Sequence, residues 1–335
     1  MRQTPPPPGG TRRTIATAVG GPWSASVLDA TVRDRLAAHG DVVDLATAGD
    51  DALAGAQVLV TGWGAPVLDP ALLDRLPRLG LVAHAAGTLR GLVTPEVWAR
   101  GVRVTSAAHA NARAVADFTV SMVHLAVKNV LPLGLAAART HEVAARDGIR
   151  GLDGSVVGLV GFGLIARLVA EALRPLDVRV LVHDPYVDPA EAGRAGAELV
   201  GLHKLLAASD VVSVHAPLTD GTRGMLGAAE IDLLAPSATL INTARGGLLD
   251  HDVLARALAD RDDLFAVLDV TEPEPLPAGH PLLGLDNVFL TPHVAGSLGT
   301  EEARLGHAAA DEVDRWAAGE PLRHEVLPER LPFTA

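Results

Sequence analysis

The sequence predicts an α/β protein with parallel sheets, from three observations. From Thr14 onward, short β-branched apolar runs alternate with Ala/Leu-rich segments of helical period. The runs are apolar almost throughout, as strands covered on both faces require. The alternation also falls into two blocks, matching 335 residues against roughly 150 per domain.

The first block predicts strands at TIATAV, DVVDL, QVLVTG, GLVAHA and VRVTSA, with helices between them, among them Ser24 to His39 and Pro70 to Leu76. An apolar stretch from Asn111 to about Thr140, interrupted at Pro132, reads as a helix and connecting segment between the blocks. The second block predicts strands at SVVGLVGFG, VRVLVHD, DVVSVHAP, ATLINTA, LFAVLDV and NVFLTPH. One more helix follows in SLGTEEARLGHAAADEVDRWAAGEP, and the sequence leaves open whether it returns to the first block. Pro5 to Pro8 with Gly9 and Gly10 predict an extended tail over residues 1–13.

Composition excludes several classes. Hydrophobic residues make up 48% and charged residues 20%, so the chain buries a core rather than remaining disordered. The absence of cysteine removes disulfides, thiolate metal sites and cysteine nucleophiles, and fits a reducing cytoplasm. A formal net charge of −12 repels phosphate backbones, so nucleic acid is not an expected partner. No apolar run reaches membrane-spanning length and the start lacks a signal-peptide core, which predicts a soluble cytoplasmic protein. His84, His109 and His124 follow no metal-ligand spacing, and no metal is expected.

The chemistry concentrates in the second block. GLVGFGLIARLVAEAL places Gly161, Gly163 and Ala166 on the G-x-G-x-x-G/A pattern at a strand-to-helix junction. Gly161 permits the tight turn, Gly163 lets the backbone approach a pyrophosphate, and Ala166 lets the helix pack on the sheet. Phe162, Leu164 and Ile165 complete that turn. Asp184 ends the next strand, 21 positions after Gly163, where an acid hydrogen-bonds a ribose; Pro185 follows it. An anionic Asp184 repels a 2′-phosphate, and no Arg follows in DPYVD, so NAD is expected over NADP. Three polar residues also stand just after apolar strands: Arg245, Glu274 and His293. A guanidinium holds a carboxylate through two bonds, an imidazole exchanges a proton near neutral pH, and a carboxylate orients that imidazole and favours its charged form.

NTARGGLLD, LDVTEPEPLP and TPHVAGS, with VGFGLIA, VHDPY and VSVHAPLT, resemble the D-2-hydroxyacid dehydrogenase family over roughly Gly80 to Gly296, in the same order and spacing. The resemblance implies two Rossmann-like domains with parallel sheets. A discontinuous, flavodoxin-like substrate domain would take residues 14–110 and 298–335, and an NAD-binding Rossmann domain residues 111–297. It implies NAD-dependent hydride transfer between a 2-oxo acid and a D-2-hydroxy acid. In that reading Arg245 binds the substrate carboxylate and carbonyl, His293 is the general acid/base, and Glu274, preferred to Glu272 because it directly precedes PLP, is its partner. Pro217, Thr222, Asn242, Thr243, Ala244, Asp269, His293 and Gly296 line the cofactor, and His215 is either another such residue or a backbone-bonded strand end. A backbone cradle at Gly87, Thr88 and Leu89 holds the substrate carboxylate.

Leu89 and Arg90 in HAAGTLRG depart from the family's usual pattern there, and Asp117 replaces its more common Glu. Arg90 is then either a ligand for a second anionic group on the substrate or an exposed arginine capping the loop. Trp63 is an aromatic wall for substrate or a packing residue. The long apolar helix over 111–131 is expected to form a homodimer, as relatives use this region. Two other readings belong to the same fold: an NAD(H)-responsive binding protein, and a formate dehydrogenase-like enzyme, against which Glu274 argues because those relatives carry Gln there.

Overall fold

The structure is a computed structural model that describes residues 13–140 and 149–333. It divides into two compact units, Met1–Asn111 with Ser297–Ala335, and Ala112–Gly296. The final helix, Glu302–Ala317, belongs to the first unit.

Among the described residues the first unit has five strands: β1 (Arg13–Ala18), β2 (Gly40–Asp44), β3 (Ala56–Thr61), β4 (Leu81–His84) and β5 (Arg103–Ser106). They form one parallel sheet in the order β2-β1-β3-β4-β5. This is the flavodoxin-like doubly wound order, in which the direction of building reverses between β1 and β3. One face buries Ile15, Val58, Val60, Leu81 and Ala83 against Leu305, Ala309 and Val313 of the final helix. The other buries Ala16, Leu59, Val82 and Val104 with Leu53, Leu73 and Val97.

The second unit has β6 (Val156–Val160), β7 (Arg179–His183), β8 (Ala197–Leu199), β9 (Val211–Val214), β10 (Thr239–Asn242), β11 (Phe265–Leu268) and β12 (Val288–Leu290). Their order is β12-β11-β10-β9-β6-β7-β8, all parallel. Two mononucleotide-binding halves thus meet at β6 and β9, the Rossmann arrangement. The central strands are buried on both faces, by Leu205, Leu226, Leu248 and Leu254 on one side and Val123, Phe162, Val169 and Leu173 on the other.

Several local expectations are corrected. The helix expected over Ser24 to His39 is two helices, Ser24–Val27 and Ala30–His39, because the Asp29 carboxylate caps the second by accepting the Val32 N–H at 2.8 Å. The long apolar segment starts at Ala108 and breaks between Val127 and Val130, not at Pro132. Asn129 there adopts φ +51°, whereas Pro132 lies in the first turn of Val130–Thr140, where its missing N–H has no helical partner to lose. Edge strand β8 was not expected, since three residues carry no period. Arg13 opens β1 instead of ending a tail, whose other residues lie outside those described. Among the described residues no single helix is long and apolar enough to cross a membrane.

Two features of the first unit set its stability. Gly306 in the final helix faces the Val27 carbonyl so closely that a Cβ would overlap that oxygen, and a backbone group cannot swing aside. Gly306→Ala is therefore expected to destabilise the fold by about 1–3 kcal/mol, read as a lowered Tm in thermal unfolding. His84, at the end of β4, is 4% exposed, and its Nδ1 lies 2.9 Å from Thr61 Oγ1. Desolvation lowers its pKa to about 4, against a smaller opposing effect of a hydrogen bond with the Thr88 backbone. An unfolded His84 thus takes up its proton near pH 6.5 and the folded one only near pH 4. Between those values the unfolded state holds more protons, so stability falls as pH drops through the window and levels off below it. His84→Gln should flatten that part of a urea-stability profile.

Candidate active site

The loops after β6, β7, β9, β10, β11 and β12 leave the carboxyl ends of the second sheet, where open α/β sheets bind ligands. Gly161 follows β6 with φ +90°, and a Cβ there would lie 2.6 Å from the Ala216 nitrogen, so only glycine fits. Gly163 is the N-cap of the helix Leu164–Leu173, has no capping side chain, and has open space where a Cβ would stand. Among the described residues the first N–H groups of that helix therefore have no capping side chain and favour an anion. Ala166, in the first turn of that helix, is fully buried, and Phe162 is 1% exposed. Leu164 is exposed and Ile165 half-buried at the helix entrance.

Asp184 stands directly after β7, with Oδ2 accepting the Phe162 N–H at 2.8 Å and Oδ1 the Tyr186 N–H at 2.9 Å. The acid is thereby tied to the glycine turn, with Pro185 exposed beside it. A turn that only glycine can make, an uncapped helix start and this anchored acid fit a dinucleotide.

The remaining cofactor candidates frame the same sheet end. His215 follows β9, its Nε2 lies 3.0 Å from Ser213 Oγ, and desolvation lowers its pKa to about 4, so it is neutral at physiological pH. Thr222 closes the next loop by donating to the Pro217 carbonyl at 2.5 Å and accepting the Thr219 N–H at 2.8 Å. Asn242, fully buried, donates to the Arg245 carbonyl and accepts the Ala244 N–H, both at 3.0 Å. Thr243 Oγ1 lies 3.3 Å from Thr119 Oγ1. These bonds fix the turn that presents Arg245, whose Nη1 donates to the Ala244 carbonyl at 2.6 Å.

Gly246 and Gly247 explain the NTARGG pattern. A Cβ on Gly246 would overlap the Thr271 backbone, and one on Gly247 the Glu272 carboxylate, so the loop after β10 packs flush on the loop after β11. That packing separates the two candidate acids. Glu272 pairs with Arg223 at 2.5 Å, while Glu274 Oε1 meets His293 Nδ1 at 2.8 Å. Arg223 carried no signal in the sequence, because its partner is remote along the chain.

His293 has φ +56°, uncommon for a non-glycine residue. Its N–H is shared between the Asp269 and Thr291 carbonyls at 3.0 Å each. The Asp269 side chain, 2% exposed, accepts from Thr291 Oγ1 at 2.6 Å and from the Val294 and Ala295 N–H groups at 2.8 and 3.0 Å. Asp269 thus holds the loop that carries His293, and Gly296 ends the same segment. The hydroxyl two residues before the histidine in TPH was the available sign of this clamp.

In the first unit, the loop after β4 is held by Ser106 Oγ, which lies 3.0 Å from the Ala86 carbonyl and 2.7 Å from that of Gly87. Thr88 Oγ1 accepts the Arg90 N–H at 3.2 Å, and Arg90 is exposed. The Leu89 side chain is fully buried in the core, so only its backbone is left to meet a ligand. Trp63 stacks edge-on with Trp23 at 5.6 Å and packs on the core beside the final helix.

The model of the D-isomer specific 2-hydroxyacid dehydrogenase NAD binding domain matches residues 121–295. D-3-phosphoglycerate dehydrogenase of Mycobacterium tuberculosis is 35% identical over 258 residues, 76% of this chain and 48% of that protein. The chain spans about half the length of the curated relatives of this kind that it matches. Glyoxylate reductase of Aeropyrum pernix is 31% identical over 276 residues, 79% of this chain and 82% of that protein. Among solved structures, the TT0316 protein of Thermus thermophilus superposes with a TM-score of 0.74 at 29% identity, covering 94% of this chain and all of that one. The chain belongs to the D-isomer specific 2-hydroxyacid dehydrogenase family, and its second unit is that family's NAD-binding domain.

Proposed function

We propose that this chain interconverts a 2-oxo acid and a D-2-hydroxy acid with NAD as hydride carrier. The observation that carries this reading is the His293–Glu274 pair at 2.8 Å, on a loop clamped by Asp269. A module that only bound a dinucleotide has no physical need for an oriented acid/base pair.

Gly161, Gly163 and the helix start would hold the pyrophosphate, and Asp184 a ribose, its charge opposing a 2′-phosphate. When bound, NADH supplies the hydride. Glu274 accepts the Nδ1 proton of His293, which leaves Nε2 to give a proton to the substrate oxygen in reduction and to take it back in oxidation. Arg245 binds the substrate carboxylate and draws electron density from the carbonyl. Neutral His215 adds no second positive charge near the cofactor. Asp269 acts as a positioning residue, through the His293 loop.

NADH absorbance with a panel of 2-oxo acids tests the assignment. His293→Ala is expected to lower kcat by about 10²–10⁴, the usual contribution of a positioned acid/base, while NADH still binds. Glu274→Gln should lower kcat less. Binding of NADH without turnover of any panel member would overturn the enzymatic reading.

For the substrate, we propose that the Gly87, Thr88 and Leu89 backbone takes the carboxylate and Arg90 a second anionic group. The two relatives mark opposite cases, one named for a phosphorylated acid and one for glyoxylate. Arg90→Ala should raise KM for 3-phosphohydroxypyruvate at least tenfold and leave glyoxylate unaffected; equal effects on both would remove Arg90 from substrate selection.

A further inference from the structure

The first unit contains a crevice that this reaction does not use. Its sheet is built outward from β1 to β2 and then back across to β3, which makes β1/β3 a topological switch point. Open α/β sheets bind ligands beyond the carboxyl ends of their strands at such points. A cavity of about 470 Å³ opens there, lined by Val19, Leu45, Val67 and Leu72 together with Asp44 and Asp69. Its size and mostly apolar walls suit a small organic ligand. The loop 87–90 follows β4 and is not part of it.

Backbone contacts hold the walls. Gly20 donates its N–H to the Trp63 carbonyl at 2.8 Å, and a Cβ on Gly20 or Gly64 would lie 3.2 Å from the other's backbone. The loops after β1 and β3 therefore hold each other in place.

Asp44 indicates the kind of ligand. It ends β2, the strand after β1, as Asp184 follows β7, the strand after β6. In both, Oδ1 accepts the N–H two residues on at 2.9 Å, from Ala46 in one and Tyr186 in the other. The same carboxylate, with the same local orientation, stands at the same topological place in each unit. Asp184 spends Oδ2 on the Phe162 N–H, whereas the described residues give Asp44 Oδ2 no hydrogen bond, leaving it as an acceptor.

Among the described residues the phosphate half of the second unit's site has no counterpart here. The turn after β1 leads into a four-residue helix, Ser24–Val27, where β6 leads into the ten-residue Leu164–Leu173. Asp44 and Asp69 repel anions, and the cation of Arg75 at the cavity edge is engaged by Asp50 at 3.0 Å.

We propose that this cavity binds an uncharged nucleoside, its base against Val19, Leu45, Val67 and Leu72 and its ribose hydroxyls donating to Asp44. The ribose role given to Asp44 rests on the one proposed for Asp184, and separate titrations distinguish the two. Adenosine is titrated by calorimetry into the chain saturated with NADH, and separately into Asp184→Ala without NADH. One site per chain is expected in both. Asp44→Ala should weaken it at least about tenfold, the loss of a hydrogen bond to a charged group. Val67→Trp, at a half-exposed wall position, should abolish it by filling the cavity. Both variants should keep the parent Tm and Kd for NADH, and AMP should bind more weakly than adenosine. No binding at millimolar adenosine, binding indifferent to Asp44→Ala, or AMP binding as tightly as adenosine would overturn the proposal. Failure of NADH to bind would count against the Asp184 reading alone, because the Asp184→Ala titration still reports on the cavity.

Discussion

A buried carboxylate organises the loop after β12 at the carboxyl end of the second sheet. Asp269 is removed from water, which costs several kcal/mol for an ion unless its lone pairs find donors. The donors come from one short segment: the Thr291 hydroxyl and the main-chain N–H groups of Val294 and Ala295. The charge and the segment satisfy each other. Between those contacts the chain must turn sharply, and His293 takes the left-handed conformation at a cost of about 1–2 kcal/mol. Its imidazole is thereby aimed at Glu274 by a fixed backbone.

The loops on either side answer to the same demand for precision. Two glycines let the loop after β10 lie flush against the loop after β11, which places Arg245 and Glu274 on adjoining turns. Arg223 occupies Glu272, so one acid is engaged in an ion pair and the other is left to the histidine. At the opposite side of the sheet end, Gly161 admits the backbone of the next loop and Asp184 ties the glycine turn to β7. Rigid strands and short, internally bonded loops hold these groups, as a site that must keep sub-ångström geometry requires.

The two units reuse one architectural rule with different emphasis. Each is a parallel sheet that reverses its direction of building, and each carries an aspartate at the carboxyl end of its second strand. The second unit adds a long helix whose uncapped start favours anions. The first has only a short one there, and its cavity is walled by aliphatic side chains and acids. A fold can thus repeat while its sites diverge in charge.

What the sequence determined by itself was whatever depends on local order along the chain. Apolar runs located every strand but β8. The glycine pattern marked the turn after β6 that Asp184 anchors, and polar residues after strands singled out Arg245, Glu274 and His293, of which the structure pairs the last two. The preference for Glu274 over Glu272 came from the family resemblance. Periodicity does not show the helix breaks that a single residue decides: Asp29 by capping, and Asn129 by tolerating a positive φ three residues before Pro132. Tertiary structure alone decided which partners remote residues would find. The pairing of Arg223 with Glu272, the clamp of Asp269 on the segment 291–295, the burial of Leu89 and the cavity beside Asp44 all join residues that only the sheet brings together. Hydrogen bonds and packing act through space over a few ångströms, and periodicity along the chain carries no record of them.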